Sequence, residues 1–318
     1  MGLFKRIDVQ AKIDNETGFG TTTSYSGNRL IHKDGSANVK KKGIGFLEHI
    51  SWYHWMLTIS SLKFWCIVLT FYLLVNLVFA VLYYSIGVEN LNGIVATTEL
   101  DKFGQAFFFS VQTFTTVGYG HINPTGFVTS FVSSIEALVG LLTFAIATGL
   151  FFGRFSKPRA YVRFSKKALI APYKDGRALM IRVAPYKNTN LIDAVTRLTL
   201  GISTEEDGKA TNKFYSLDLE LERINALTLS WTIVHPITED SPLYHFTEDD
   251  FKSIRGEFVA FFKTFDDMYS ASVIKRTSYT FDEIVYGAKF LPMFSADTNK
   301  KTMLLHLDKL SDYEKVSL

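Results

Sequence analysis

Six consecutive residues, Thr115-Thr116-Val117-Gly118-Tyr119-Gly120, carry the clearest chemistry in this chain. They follow a short apolar run and are bracketed by two long ones, so they are expected at membrane depth. Backbone that is not helical survives there only where it is buried in protein or lines a water-filled path. A loop whose successive carbonyl oxygens aim at one axis can replace the water shell of a cation. Aiming consecutive carbonyls the same way demands backbone angles that L-residues resist and glycine accepts, which suits Gly118 and Gly120. Thr116 can add its hydroxyl at the innermost position. Val117 and Tyr119 are expected to point off the axis and pack against the short helix before them. Nothing supports catalysis: no phosphate-binding P-loop pattern, HExxH pattern or Cys/His cluster occurs, and His235 reads as a β-domain residue rather than a ligand.

Positioning such a loop takes a frame of helices. From Phe64 to Ile86 the chain has 23 residues without a charge, and roughly 20 suffice to span a bilayer as a helix. A second run, Phe127 to Gly153, contains one charge, Glu136. The stretch between them is too short to span and suits a re-entrant helix, whose negative dipole end favours a cation near the loop. A pore domain is therefore expected over residues 59–157, with an outer helix at 62–86, a pore helix at 102–114, the filter at 115–120 and an inner helix at 127–156. Trp52, Tyr53, His54 and Trp55 place an interfacial helix over residues 48–58, because amphipathic aromatics favour the membrane–water boundary.

The flanking cations orient the spans. Lys40, Lys41 and Lys42 precede them; Arg154, Lys157, Arg159, Arg163, Lys166 and Lys167 follow. The intervening loop holds Glu89, Glu99 and Asp101 against Lys102, so both termini are expected in the cytoplasm. Residues 1–47 form a polar, basic N-terminal cytoplasmic segment, in which 29–39 reads as a strand pair turned at Asp34-Gly35. The first 20 residues are polar and offer no apolar core for a cleavable signal. Residues 158–318 switch to short alternating stretches such as RALMIRVA (177–184) and FYSLDLELE (214–222), with turns at Asp175-Gly176, Asp207-Gly208 and Asp240-Ser241-Pro242, and predict a water-soluble β-sandwich. The fold class is thus mixed: a two-span α-helical membrane pore with a re-entrant helix, followed by a β-sandwich. The net charge of +3 does not point to nucleic acid, and the single cysteine, Cys66, allows no intrachain disulfide.

The motifs together resemble the inward-rectifier potassium channels, most closely their prokaryotic, KirBac-type branch. The likeness covers nearly the whole chain: KDGSANV (33–39), YHWMLT (53–58), the filter, GRFSKPRA (153–160), WTIVHPITEDSPLY (231–244) and RTSYTFDEIVYG (276–287). The resemblance implies passive conduction of potassium ions, held at Thr116, Val117, Gly118 and Tyr119, with no cofactor. One loop per chain implies a homotetramer. It further implies an immunoglobulin-like cytoplasmic sandwich that continues the pore, and residence in a cell membrane, expected to be a bacterial inner membrane.

Further roles carry over residue by residue. Gly140 matches a bending point of the inner helix, with close helix packing as the equal alternative. Phe144, Thr148 and Phe152 recur every four residues on one side, and Phe152 matches a narrow apolar gate that closes by dewetting. Strong rectifiers carry an acid where Phe144 stands, so weak rectification is expected. Glu136 is expected to bond near Ser133 or Ser134 behind the filter, or to add charge to the pore cavity. Arg154, Lys157 and Arg159 match contacts to anionic lipid headgroups, the alternative being membrane topology alone. Arg276, Thr277 and Ser278 match a flexible loop that narrows the cytoplasmic pore. The sequence departs from many relatives at Gln112, where they carry Glu, and after Gly120, where His121 and Ile122 replace a paired Arg. Two other readings are a two-span channel with a different cytoplasmic domain, and a membrane-anchored sensor whose GYG is incidental.

Overall fold

The structure, a computed structural model, describes residues 13, 14, 18, 29–43, 45, 51–206, 209–297 and 302–318. Most of the first 20 residues, the start of the interfacial helix before Ser51 and the Asp207-Gly208 turn lie outside them. The chain divides into two units, residues 42–157 and residues 1–41 with 158–318.

In the first unit, α1 (Trp52–Thr58) is followed by α2 (Ser61–Ile86), α3 (Glu99–Phe114) and α4 (Phe127–Phe155). Ser60 starts α2 by accepting the Lys63 amide, and Gly87, at φ 111°, ends it. α2 and α4 have 26 and 29 residues and are strongly apolar, long enough to cross a bilayer at about 1.5 Å per residue. Their faces are arranged inversely to those of a soluble helix. Leu73, Leu77, Val81, Leu138 and Leu142 are exposed, while Asn76, Tyr83, Thr129, Ser133 and Glu136 are buried. Lipid solvates the apolar face, and the polar groups find partners inside the protein. A short antiparallel pair, Leu91–Asn92 with Asn123–Pro124, joins the ends of the loop between the spans.

The second unit holds two five-stranded sheets. The first runs β9 (Ala271–Thr280), β8 (Gly256–Asp266), β4 (Leu191–Glu206), β5 (Lys209–Leu217), with β6 (Arg223–Ala226) also on β4. The second runs β10 (Ile284–Tyr286), β2 (Ala168–Tyr173), β3 (Gly176–Pro185), β1 (Val162–Phe164), with β7 (Trp231–Pro236) also on β3. The pairing is antiparallel except between β10 and β2. One core draws on both sheets: Ile170, Leu179, Ile181 and Val183 from one, Leu198, Leu200, Phe258 and Phe262 from the other. The expected sandwich is therefore observed. Strand β3 is buried on both faces. Its odd positions enter this core, and Met180 and Ala184 are covered instead by Phe290, Met293 and Leu310 from the C-terminal segment. That explains why RALMIRVA reads as nearly continuous apolar sequence rather than clean alternation.

Residues 29–38 belong to the same unit. Ile31 bridges Ala37 across the Asp34-Gly35 turn, with Gly35 at φ 91°. Glu257 accepts the Leu30 and Ile31 amides at 2.5 and 3.2 Å, Ser278 donates to the Ile31 carbonyl, and Thr277 donates to Lys33 O at 3.1 Å.

His235 lies in β7, buried to 3% exposure. Its Nδ1–H donates to Asp218 O at 2.6 Å, and Nε2 lies 2.7 Å from Ser241 Oγ, from which a neutral ring accepts. Burial pushes the imidazole below its ordinary value. Above the unfolded value of about 6.5 both states are neutral and the fold keeps its full stability; as pH falls below it, the unfolded chain takes up a proton that the folded chain refuses. Thermal unfolding of this unit is expected to move to lower temperature between about pH 7 and about pH 5, and His235→Gln to flatten part of that slope.

Candidate functional site

The Thr115–Gly120 segment, the expected filter, is positioned by the end of α3. Thr98 caps the start of that helix by accepting the Asp101 amide at 3.2 Å, with Glu99 and Asp101 in its positive first turn. The helix begins three residues before the expected start, because polar capping residues rather than apolar ones open it. It ends at Thr115, whose amide and hydroxyl both donate to Val111 O, at 3.1 and 2.7 Å.

Beyond the helix the chain turns its amides back on it. Thr116 N donates to Thr113 O at 3.1 Å, and Val117 N and Gly118 N share Gln112 O at 3.0 and 3.3 Å. In a trans peptide the carbonyl of the preceding residue lies opposite the amide. The carbonyls of Thr115, Thr116 and Val117 therefore face away from α3. Left-handed backbone makes this possible at alternate residues: Thr116 (φ 59°), Gly118 (φ 56°) and Gly120 (φ 79°). Thr116 is the surprise, since a β-branched residue in this region stores about 1–3 kcal/mol of strain, a cost typical of functional loops.

Val117 and Tyr119, expected to be covered by the helix before them, are both exposed on the chain. Tyr119 is 78% exposed. The face of α3 that carries Ala106, Phe109, Ser110 and Phe114 is already occupied by α2 and α4, so the filter side chains project past the edge of the chain.

On α4 the expectations sort differently. The helix is unbroken through Gly140, and a Cβ there would lie 2.0 Å from Phe114 O. That close approach is one only a glycine permits here. Glu136 bonds neither Ser133 nor Ser134, whose hydroxyls donate to Ser130 O, and adds no charge to an open cavity. It is fully buried and accepts from Tyr83 and Ser110. Sequence reasoning passed over Asn76, Tyr83 and Ser110; the available signal was an amide and two hydroxyl groups within apolar helices. Phe144, Thr148 and Phe152 are all exposed on the chain, the two phenylalanines to 74% and 73%.

Arg154 is engaged within the chain. Its guanidinium donates to Met56 O at 2.8 Å, Ile59 O at 2.9 Å and Ser61 Oγ at 3.4 Å, and stacks over Phe64 at 4.7 Å. These carbonyls include the unpaired ones at the negative end of α1, which a cation satisfies. Hydrogen bonds to charged groups contribute roughly 1.5–3 kcal/mol each. Arg154→Lys is expected to loosen α1, because an ammonium matches neither the fork nor the stacking. Hydrogen exchange at the amides of residues 55–59 should speed by about tenfold; unchanged exchange would remove this role. Lys157 and Arg159 remain exposed.

The three residues expected on a flexible loop are also relocated. Arg276, Thr277 and Ser278 lie mid-strand in β9, paired with Phe261, Ala260 and Val259 of β8, and Thr277 and Ser278 are buried. Their hydroxyls are spent on the N-terminal segment. The turn that joins β8 to β9 lies earlier, at 267–270, with Ser270 at φ 47°.

Comparison with known proteins agrees with this geometry. A family model described as "Inward rectifier potassium channel C-terminal domain" matches residues 162–318, and one described as "Ion channel" matches residues 63–157. The chain is 33% identical over 272 residues to inward rectifier potassium channel Kirbac3.1 of Paramagnetospirillum magnetotacticum, across 84% of this chain and 90% of that protein. It is 27% identical over 297 residues to inward rectifier potassium channel irk-1 of Caenorhabditis elegans, across 85% of this chain and 54% of that protein. With both halves matched and a prokaryotic relative aligned over most of its length, the chain belongs to the inward rectifier potassium channels, as a two-span membrane channel and not an enzyme.

Proposed function

We propose that four copies of this chain form one potassium-selective pore, with both termini in the cytoplasm. The observation that carries the reading is the set of filter amides turned back on α3, which leaves successive carbonyls facing away from it. Thr116, Val117, Gly118 and Tyr119 supply the ion-coordinating oxygens, bounded by Thr115 and Gly120. A single chain provides one wall of such a path, so closure requires a symmetric ring. The exposed side chains of Val117 and Tyr119 then pack against a neighbouring copy.

The same ring places four Phe152 side chains at the inner end of α4, where an apolar constriction closes by dewetting. Phe144 puts no charge in the path, and weak rectification follows. Anionic lipid acts through the exposed Lys157 and Arg159, each worth about 1 kcal/mol near a charged surface; Arg154 acts instead as the tie between α1 and α4.

The test is uptake into liposomes driven by a potassium gradient. Potassium or rubidium uptake that barium blocks and that sodium does not support is the expected result. Uptake that sodium supports equally would remove the filter reading. In voltage ramps, a steep polyamine block like that of strong rectifiers would remove the role given to Phe144.

A further inference from the structure

Four polar side chains from three helices meet in one buried cluster: Asn76 and Tyr83 on α2, Ser110 on α3 and Glu136 on α4, all at 0% exposure. Tyr83 donates its hydroxyl proton to Glu136 Oε2 at 2.6 Å, and Ser110 donates to Glu136 Oε1. Ser110 has a single proton, which its nearest acceptor takes. Its Oγ also lies 3.2 and 3.1 Å from Asn76 O and Oδ1, and the Asn76 amide nitrogen donates to Tyr72 O at 2.7 Å. The carboxylate on α4 is thus joined to α2 and to α3 by one hydroxyl each.

The cluster is connected to the filter through α3. Ser110 lies two residues before Gln112, the residue whose carbonyl holds the Val117 and Gly118 amides. One turn along α4 from Glu136, Gly140 meets Phe114 O, the last residue of α3. The side of α3 is held by Glu136 and its end by Gly140.

A carboxylate at membrane depth is costly. Apolar side chains of similar volume would pack three helices without that cost. What a carboxylate adds is direction, since its two oxygens accept hydroxyl protons only at one rotation and one depth of the helix that brings Ser110. We propose that Glu136 is a positioning residue for ion selection: through Ser110 and Tyr83 it sets the rotation and depth of α3, and with them the spacing of the filter carbonyls. Glu136 itself touches no ion. The inference rests on the reading of Thr116–Tyr119 as the ion-selecting segment.

Full-length channels in liposomes test it, with the potassium-to-sodium uptake ratio measured for wild type, Tyr83→Phe, Ser110→Ala and Glu136→Gln. The ratio is independent of how much protein assembles, so a merely structural role would leave it unmoved. Each hydroxyl removal is expected to lower the ratio by about tenfold, the scale set by one hydrogen bond to a charged group. Glu136→Gln retains an acceptor oxygen on a side chain of the same size and is expected to fall between those variants and wild type. It also covers the case in which a hydroxyl variant does not assemble. Variants that assemble poorly yet keep the wild-type ratio would overturn the proposal, as would normal assembly with an unchanged ratio. A wild type that does not prefer potassium would bring down the filter reading itself, which is a different result.

Discussion

Gly118→Asp is expected to reduce barium-sensitive potassium uptake to the level of protein-free liposomes. Gly118 sits at φ 56°, and nothing lies within 4 Å of where a Cβ would project. The loss therefore does not come from a clash inside the chain. It comes from the backbone and from charge. A residue with a side chain resists this left-handed conformation by up to roughly 1–2 kcal/mol, Asp less than most, and a ring repeats the cost in four copies. Each copy also brings a carboxylate beside carbonyls whose strength must let a cation leave as well as enter. The amide of residue 118 shares Gln112 O with Val117, so a shift at 118 disturbs two anchors at once. The measurement is uptake beside wild type, with assembly checked by size-exclusion chromatography. Wild-type uptake by an assembled Gly118→Asp channel would remove the filter from the functional account.

Gly140→Ala is the second large effect. The added Cβ would stand 2.0 Å from Phe114 O, a backbone atom at the end of α3, and 3.1 Å from its Cα. No rotamer change relieves such a contact, so α4 or the end of α3 must move by an ångström or more to regain ordinary van der Waals separation. Thr115 and Thr116 follow Phe114 directly, and the movement reaches the filter. Potassium uptake is expected to fall at least about tenfold, with a lower unfolding temperature, since overpacking a close helix contact costs about 1–3 kcal/mol. Gly149→Ala is the matched control. It lies on the same helix, where a Cβ meets nothing within 4 Å, and alanine there should be neutral or stabilising by roughly 0.5–1 kcal/mol. Equal behaviour of the two variants would mean that the approach of α4 to Phe114 is not limiting.

Local composition revealed the elements of this chain well. Two apolar runs longer than a bilayer needs, one uncharged and one with a single charge, a short apolar run between them and alternating strands afterwards each announce themselves within a window of about 20 residues. The glycines at 118 and 120 and the turn at 34–35 were legible for the same reason, because left-handed backbone is a local demand. Partners distant in the chain were not legible. Arg154 looks in sequence like any cation beside a membrane, and its three acceptors lie 93 to 98 residues earlier. Arg276, Thr277 and Ser278 were assigned to a loop by resemblance alone, and pairing with β8 places them mid-strand. Thr116 carries no local mark of its positive φ; the amides it brings back to α3 impose it.

The kind of solvent each segment needs was settled by residue type alone, since apolar length and flanking charge are properties of the chain and not of its partners. The path of the filter carbonyls was settled by three hydrogen bonds to the end of α3 and by the room Gly140 leaves there. The partners of Glu136 were decided only when folding brought Tyr83 and Ser110 to it from 53 and 26 residues away. A buried carboxylate takes its meaning from the donors around it, and those are chosen by how three helices pack.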